Sequence, residues 1–249
     1  MGSGENSPAM VTPHQKILKE HGKNSYRIAL DTPYGFQENA DEMTQKIQGY
    51  FETNVGFRVK DVLARSLDFN SQSIASEVDS ADWLFAGPGS PTYALRIWRE
   101  LGLAPHFNSL LQRGSIVMAS AAAMSLGSVV MPVYEMYKVG TDPHWLEGLD
   151  VLGQATGINA AVVAHFNNTQ GGTHDTRFCF IGEKRMNQLM TQLDSTTGVL
   201  GIDEHTGISF NLETHQAEVF GKGTVTFLKG ETSRVIESKN VFDYRELVG

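Results

Sequence analysis

The sequence predicts an α/β protein with a doubly wound, mostly parallel sheet, helices on both faces and antiparallel strands near the C-terminus. Three observations predict it. Short apolar runs alternate with segments of helical spacing, the pattern of repeated β–α units. Several runs end at a glycine, serine, histidine or acid, as strands do at the carboxyl edge of such a sheet, where function gathers. From about Gly207 the pattern changes to alternation broken by turn signals, which reads as antiparallel strands.

The elements follow in order. Residues 26–30 read as a buried strand. Residues 36–54 carry helical spacing, with Phe36, Ala40, Met43, Ile47, Tyr50 and Phe51 on one side. Residues 57–63 form a strand with some alternation, and residues 81–87 a second, ending in a glycine-rich turn. Residues 97–111 are helical, interrupted at Pro105, which cannot donate within a helix. Residues 115–119 and 160–164 read as strands, 183–193 as a helix and 199–203 as a late strand. The polar stretches 71–80 and 167–175 read as surface loops. No internal repeat or low-complexity linker divides the chain, so residues 1–249 read as one domain.

Composition narrows the function. Hydrophobic residues make up 41% of the 249, enough for a full core. A net charge of −8 argues against nucleic acid and anionic membranes as partners. The lone cysteine, Cys179, permits no disulfide within the chain and fits a reducing, cytoplasmic setting. No apolar stretch approaches the length of a membrane span, and no basic, apolar signal region opens the chain. Asn6 stands where N-terminal lipidation wants Ser or Thr. No paired ligand spacing such as His-x-x-x-His is present, so neither a metal nor a cofactor is expected.

The most informative stretch is Ile116-Val117-Met118-Ala119-Ser120-Ala121-Ala122-Ala123-Met124. An apolar run ends abruptly in a serine followed by small residues, which is how a strand–nucleophile–helix turn reads. Small neighbours let the backbone bend sharply and lift the hydroxyl above the sheet. The next backbone N–H then points at the same spot. The plainer reading is a buried strand running into an alanine-rich helix, with Ser120 as its N-cap.

Three further strand ends carry chemistry. Gly87-Pro88-Gly89-Ser90-Pro91 offers backbone N–H groups at Gly87, Gly89 and Ser90 for an oxyanion, the prolines having none. His165 directly follows an apolar strand. Gly201-Ile202-Asp203-Glu204-His205 puts acids just past another. Serine, histidine and carboxylate on one rim can make a triad, the acid fixing the tautomer of the imidazole that takes the hydroxyl proton. His174 and His205 compete for the role of base, whereas His14, His21, His106 and His215 read as surface or helix-end residues.

Five blocks resemble the serine peptidase family that contains dipeptidase E and cyanophycinase, a branch of the class I glutamine amidotransferase-like, flavodoxin-like fold. They are Met1-Gly2-Ser3-Gly4-Glu5, the segment from Phe85 to Leu95, Ala119-Ser120-Ala121-Ala122-Ala123-Met124, Val163-Ala164-His165-Phe166, and Gly201-Ile202-Asp203-Glu204-His205-Thr206. The resemblance spans most of the chain and implies a single amidotransferase-like hydrolytic domain. It implies Ser120 as nucleophile, His165 as base and Glu204 as acid, with Glu135 the rival acid. The oxyanion donors would be Ala121 and one N–H of the Gly89-Ser90 turn. Members of the family cleave bonds beside aspartate, which would call for a basic partner such as Arg177, Arg96 or Lys138. Cys179, remote in sequence from the nucleophile turn, disfavours a cysteine-based amidotransferase.

The chain departs from the family's pattern at Met118 and Ala122, where small residues or glycine are usual, and in the proline-rich turn at residues 87–91. The family's central first strand precedes the Gly-Ser-Gly-Glu block, yet only Met1 does so here. The expectation is a late start, or a sheet in which two neighbouring strands lack that partner. The expected activity is a serine hydrolase cleaving a peptide or amide bond through an acyl-enzyme. The alternative is an inactive relative that binds a small ligand or a protein, and a weaker third reading is an esterase. The expected partner is a small peptide or amide substrate. The strands after Gly207 could pair with a second copy, making a homo-oligomer.

Overall fold

The computed structural model describes residues 1–248. Its first half is a parallel sheet of β1 (Arg27–Leu30), β2 (Lys60–Val62), β3 (Trp83–Ala86) and β4 (Ser115–Met118), in the order β2-β1-β3-β4. Side chains alternate across each strand and so divide between two cores. Ala29, Trp83, Phe85, Val117 and Ala119 face one core, shared with α1 (Val11–Glu20) and α2 (Ala40–Tyr50). Ile28, Leu30, Leu84, Ala86 and Met118 face the other, shared with α3 (Ser71–Ser80), α4 (Pro91–Glu100) and α5 (Ala104–Leu111). Trp83, Phe85, Trp98 and Phe107 are fully buried. Each large apolar side chain so buried contributes roughly 1.5–3 kcal/mol.

The second half adds α6 (Ala121–Met124), the short pair β5 (Val129–Val130) and β6 (Leu146–Glu147), α7 (Val151–Thr156), β7 (Ala160–Val163), α8 (Glu183–Met190) and β8 (Gly198–Ile202). The tail contributes β9 (Thr206–Asn211), β10 (Gln216–Gly221), β11 (Thr224–Lys229), β12 (Thr232–Glu237) and β13 (Val241–Asp243). β7 and β8 are parallel, and β11 and β12 extend them antiparallel, in the order β12-β11-β8-β7. β9, β10 and β13 form a separate antiparallel sheet. The fold is thus α/β with a parallel core and an antiparallel tail. Among the described residues no helix is long and apolar enough to cross a membrane.

Three elements depart from expectation. Residues 71–80 are not a loop but α3, capped by the Asn70 side chain, which accepts from Ser73 N–H at 3.1 Å. Only Ile74 and Val78 are buried, one turn apart, so its apolar stripe is a single pair among serines and acids. The helical stretch 97–111 breaks at residues 101–103, and Pro105 sits in the first turn of α5, where a missing N–H costs nothing. α1 buries only His14 and Leu18, so a histidine occupies a core position and hides the period.

Met1 and Gly2 stitch the two main sheets together at their carboxyl ends. Met1 N donates to Met118 O at 2.7 Å, and Ser120 N donates to Met1 O at 3.0 Å. Gly2 N donates to Thr206 O at 2.8 Å, and His165 N donates to Gly2 O at 3.3 Å. A side chain at Gly2 would collide with the carbonyls of Ile202 and Asp203. Four segments far apart in sequence converge here.

Candidate active site

Ser120 follows β4 and opens α6 with φ of 51° and ψ of −118°. A non-glycine residue in that region is strained by roughly 1–3 kcal/mol. Ala119, Ala121, Ala122 and Ala123 are all buried around it, so no side chain obstructs the bend. Met118 fits at the end of β4, buried in the core on the α4 side of the sheet. The Ser120 side chain makes no capping bond to α6. Its Oγ lies 3.0 Å from His165 Nε2 instead.

His165 leaves β7 with φ of 48°. Its Nδ1 lies 2.9 Å from Glu204 Oε1. A carboxylate only accepts, so Nδ1 carries the proton and Nε2 is left to accept from the serine hydroxyl. Burial works against ionisation of Glu204, but the hydrogen bonds from His165 and Asn168 hold its carboxyl below the usual range. Asn168 is fully buried and donates from Nδ2 to Glu204 Oε1 at 2.8 Å. Asn167 Oδ1 accepts from Glu204 N–H at 2.8 Å. The two amides after His165 thus fix the acid at both ends. From sequence alone residues 167–175 read as a surface loop that either shapes a pocket or is plain, and the only signal there is a pair of asparagines beside a strand-end histidine.

The imidazole is held from behind by a strained turn. Phe178, Cys179 and Phe180 have φ of 59°, 56° and 72°, a left-handed stretch of three L-residues. The Cys179 N–H donates to His165 O at 3.2 Å, and the Phe180 ring lies 5.6 Å from the imidazole. Cys179, far away in sequence, is therefore close in space, its Sγ 3.7 Å from Met124 Sδ. Burial pushes its thiol up to about 12, so it stays protonated and inert.

The backbone donors are now distinguishable. Ser90 N–H is committed to Pro33 O at 2.8 Å, and its side chain caps α4. Gly89 N–H and Ala121 N–H have no acceptor among the described residues and remain free for a ligand oxygen. Gly89 adopts φ of 146°, and a Cβ there would strike Pro33 O, so the turn admits no other residue. Glu135 makes no hydrogen bond to His165; its Oε2 accepts from Thr92 Oγ1 at 3.0 Å.

The other histidines part ways. His14 is a core residue, contrary to expectation. It is ringed by Tyr50, Phe51 and Phe85, and its Nε2 donates to Glu5 O at 3.0 Å. Burial lowers its pKa to about 4, which keeps it neutral. His205 adopts φ of 54°, and its buried Nδ1 has no partner. His174 is exposed and lines a cleft of about 550 Å³ with Tyr137, Phe180, Lys184 and Arg185. That cleft adjoins His165 through the Phe180 ring. Arg177 is neutralised by Asp175 and Glu183, both at 2.9 Å. Arg96 lies over the Tyr93 ring and Lys138 over that of Tyr137.

Comparisons with known proteins bear on this geometry. A peptidase from an acI-B1 actinobacterium, known from its crystal structure, matches with a TM-score of 0.77 at 21% identity, covering 98% of this chain and 94% of that one. A putative peptidase E protein from Listeria monocytogenes EGD-e matches with a TM-score of 0.57 at 11% identity, covering 95% and 96%. A comparison with curated proteins gave no match. Residues 1–217 match the model of Peptidase family S51, and the chain belongs to that family.

Proposed function

We propose that this chain is a serine-type peptidase or amidohydrolase, one hydrolytic domain, that cleaves a peptide or amide bond through an acyl-enzyme on Ser120. The observation that carries the reading is the continuous contact Ser120 Oγ–His165 Nε2–His165 Nδ1–Glu204, at 3.0 and 2.9 Å. His165 takes the hydroxyl proton as Ser120 attacks the carbonyl carbon, and Glu204 stabilises the imidazolium. Gly89 N–H and Ala121 N–H receive the developing oxyanion. The imidazolium then protonates the leaving amine. Water, deprotonated by the same imidazole, releases the acid product and restores Ser120.

Substrates with an acidic residue beside the scissile bond suit the cleft at Phe180, where Lys184 and Arg185 supply positive charge and the Asp175 and Glu183 carboxylates are taken up by Arg177. A fluorophosphonate probe tests the chemistry directly. The expected result is one phosphonyl adduct, located on Ser120 by mass spectrometry and absent from Ser120→Ala. A folded protein that resists the probe would show instead a binding module on the same scaffold. A panel of aspartyl dipeptides against simple esters separates peptidase from esterase.

A further inference from the structure

The strands that end a sheet are short or covered, with one exception. β2 and β13 span three residues each. At β7, Ser128 N donates to Ala160 O at 3.0 Å and His165 N to Gly2 O at 3.3 Å. β9 is longer, but Gly2 N donates to Thr206 O and only Asn211 is exposed. The exception is β12, which ends the β12-β11-β8-β7 sheet and runs for six residues. A bare edge of that length is a template for another strand, and sheets blunt it with proline, lysine, a bulge or a covering segment. β12 has no proline or lysine, and its register with β11 is unbroken from Thr232 to Glu237. Thr232, Ser233, Val235 and Glu237 are exposed, Val235 by 56%.

The hairpin decides which backbone groups face outward. Gly230 and Glu231 form a two-residue turn between β11 and β12, with Gly230 at φ of 56°. Lys229 and Thr232 then exchange hydrogen bonds, and so do the pairs Phe227–Arg234 and Val225–Ile236. The N–H and C=O groups of Ser233, Val235 and Glu237 therefore point away from the sheet. Those of Ser233 and Val235 meet no backbone partner among the described residues, and Glu237 O takes only the Asn240 N–H at 3.2 Å.

The strand is complementary to itself in one register. A two-fold axis through Val235 sets two copies antiparallel, with Val235 opposite Val235 and Ser233 opposite Glu237. Thr232 then faces Ser238 of the second copy, and Glu231 comes to the end that carries Lys239. About six backbone hydrogen bonds form, hydroxyl meets hydroxyl, and an acid meets a lysine at both ends. Moving the axis to Arg234 sets like charges opposite, Arg234 on Arg234 and Glu231 on Glu237, with about two bonds fewer. Moving it to Ile236 also loses about two bonds and places Val235 opposite Glu237.

We propose that β12 is the contact of a two-fold homodimer, in which two copies join their β12-β11-β8-β7 sheets into one continuous sheet across Val235. This does not depend on the peptidase reading. A contact built on one strand pair is at the small end of protein interfaces, so the dimer exchanges with monomer at a dissociation constant on the order of 10 μM.

Sedimentation velocity from about 1 to about 500 μM measures it. The unmutated chain should pass from monomer to dimer across that range. Val235→Pro should stay monomeric with unchanged thermal melting, because it removes an outward N–H and no bond within the sheet. Should Val235→Pro not fold, Val235→Lys, which sets two ammonium groups opposite one another, should be monomeric instead. Thiols read the register. Opposed residues of a hydrogen-bonded antiparallel pair have Cα atoms about 5.5 Å apart, within reach of a disulfide. With oxidised glutathione as oxidant, Val235→Cys should cross-link two chains. Ser233→Cys, whose two thiols stand about four residues apart along the ladder, should not. Cys179 is buried and takes no part. A chain monomeric at about 500 μM overturns the proposal. So does a dimer that survives a folded substitution at Val235, a Val235→Cys protein that fails to cross-link, or cross-linking through Ser233→Cys. Fluorophosphonate labelling reports separately on the peptidase reading, so either can fail alone.

Discussion

Ser120, His165 and His205 each hold an L-residue in left-handed backbone, and Phe178, Cys179 and Phe180 extend that strain behind the imidazole. Strain gathered at one place persists only where the surrounding packing over-determines it. Replacing Ser120 should therefore release it. Ser120→Gly is expected to abolish probe labelling while leaving stability unchanged or higher by about 1 kcal/mol, despite the extra freedom glycine gives the unfolded chain. Urea denaturation checks this, and a loss beyond about 1 kcal/mol would show that the bend is relaxed. Glu204→Gln keeps the shape but loses the charge opposite His165. It should lower kcat by roughly 10²–10⁴, with Asn168→Ala giving a smaller fall in kcat.

At the level of single elements, α3 and β2 each make a prediction. α3 depends on its cap, so Asn70→Ala should cost about 1 kcal/mol without touching kcat. In β2, Asp61 keeps a buried Oδ1 with no partner. Burial first, and then the Asp31 carboxylate, push its pKa up to about 7, with Asp41 adding to the rise and Arg65 opposing it. A raised acid binds its proton more tightly in the folded state. Stability from this group therefore falls as pH rises from about 4, where the unfolded acid ionises, and levels off above about 7. Asp61→Asn should raise stability at pH 8 by about 1–2 kcal/mol after solvent screening, and hardly at all at pH 4. An equal gain at both pH values would point to packing rather than charge. The same elements show what sequence could and could not reveal. β1, β3, β7 and β8 are runs buried on both faces, β4 is buried toward its carboxyl end, and all five stand out at once. α3 and α1 do not, because one carries a single apolar pair and the other spends a core position on His14. In the candidate site, Ser120 and His165 stand out in the sequence because each follows a strand, whereas Glu204 is set apart from Asp203 and Glu135 only by the family resemblance. Asn168 does not stand out, since what surrounds it is decided by contacts across the fold.

For the molecule as a whole, everything at the site meets at Met1 and Gly2. Gly2→Ala should be severely disruptive, because its Cβ would meet the backbone of Ile202 and Asp203, which cannot swing aside. The expected outcome is a loss above about 2 kcal/mol together with loss of probe labelling, read by thermal melting and mass spectrometry. Wild-type melting and labelling would mean the seam between the sheets is looser than described. This seam also governs when the molecule can first act. Its backbone bonds run from Gly2 to His165 and to Thr206, and Ser120 is tied to Met1. No nascent chain that still lacks Thr206 can close it, however much of the β2-β1-β3-β4 sheet has already folded. Until residue 206 has been made, Ser120 and His165 lack the contacts that set them, and the candidate site takes its final shape only when Gly2 and Thr206 meet.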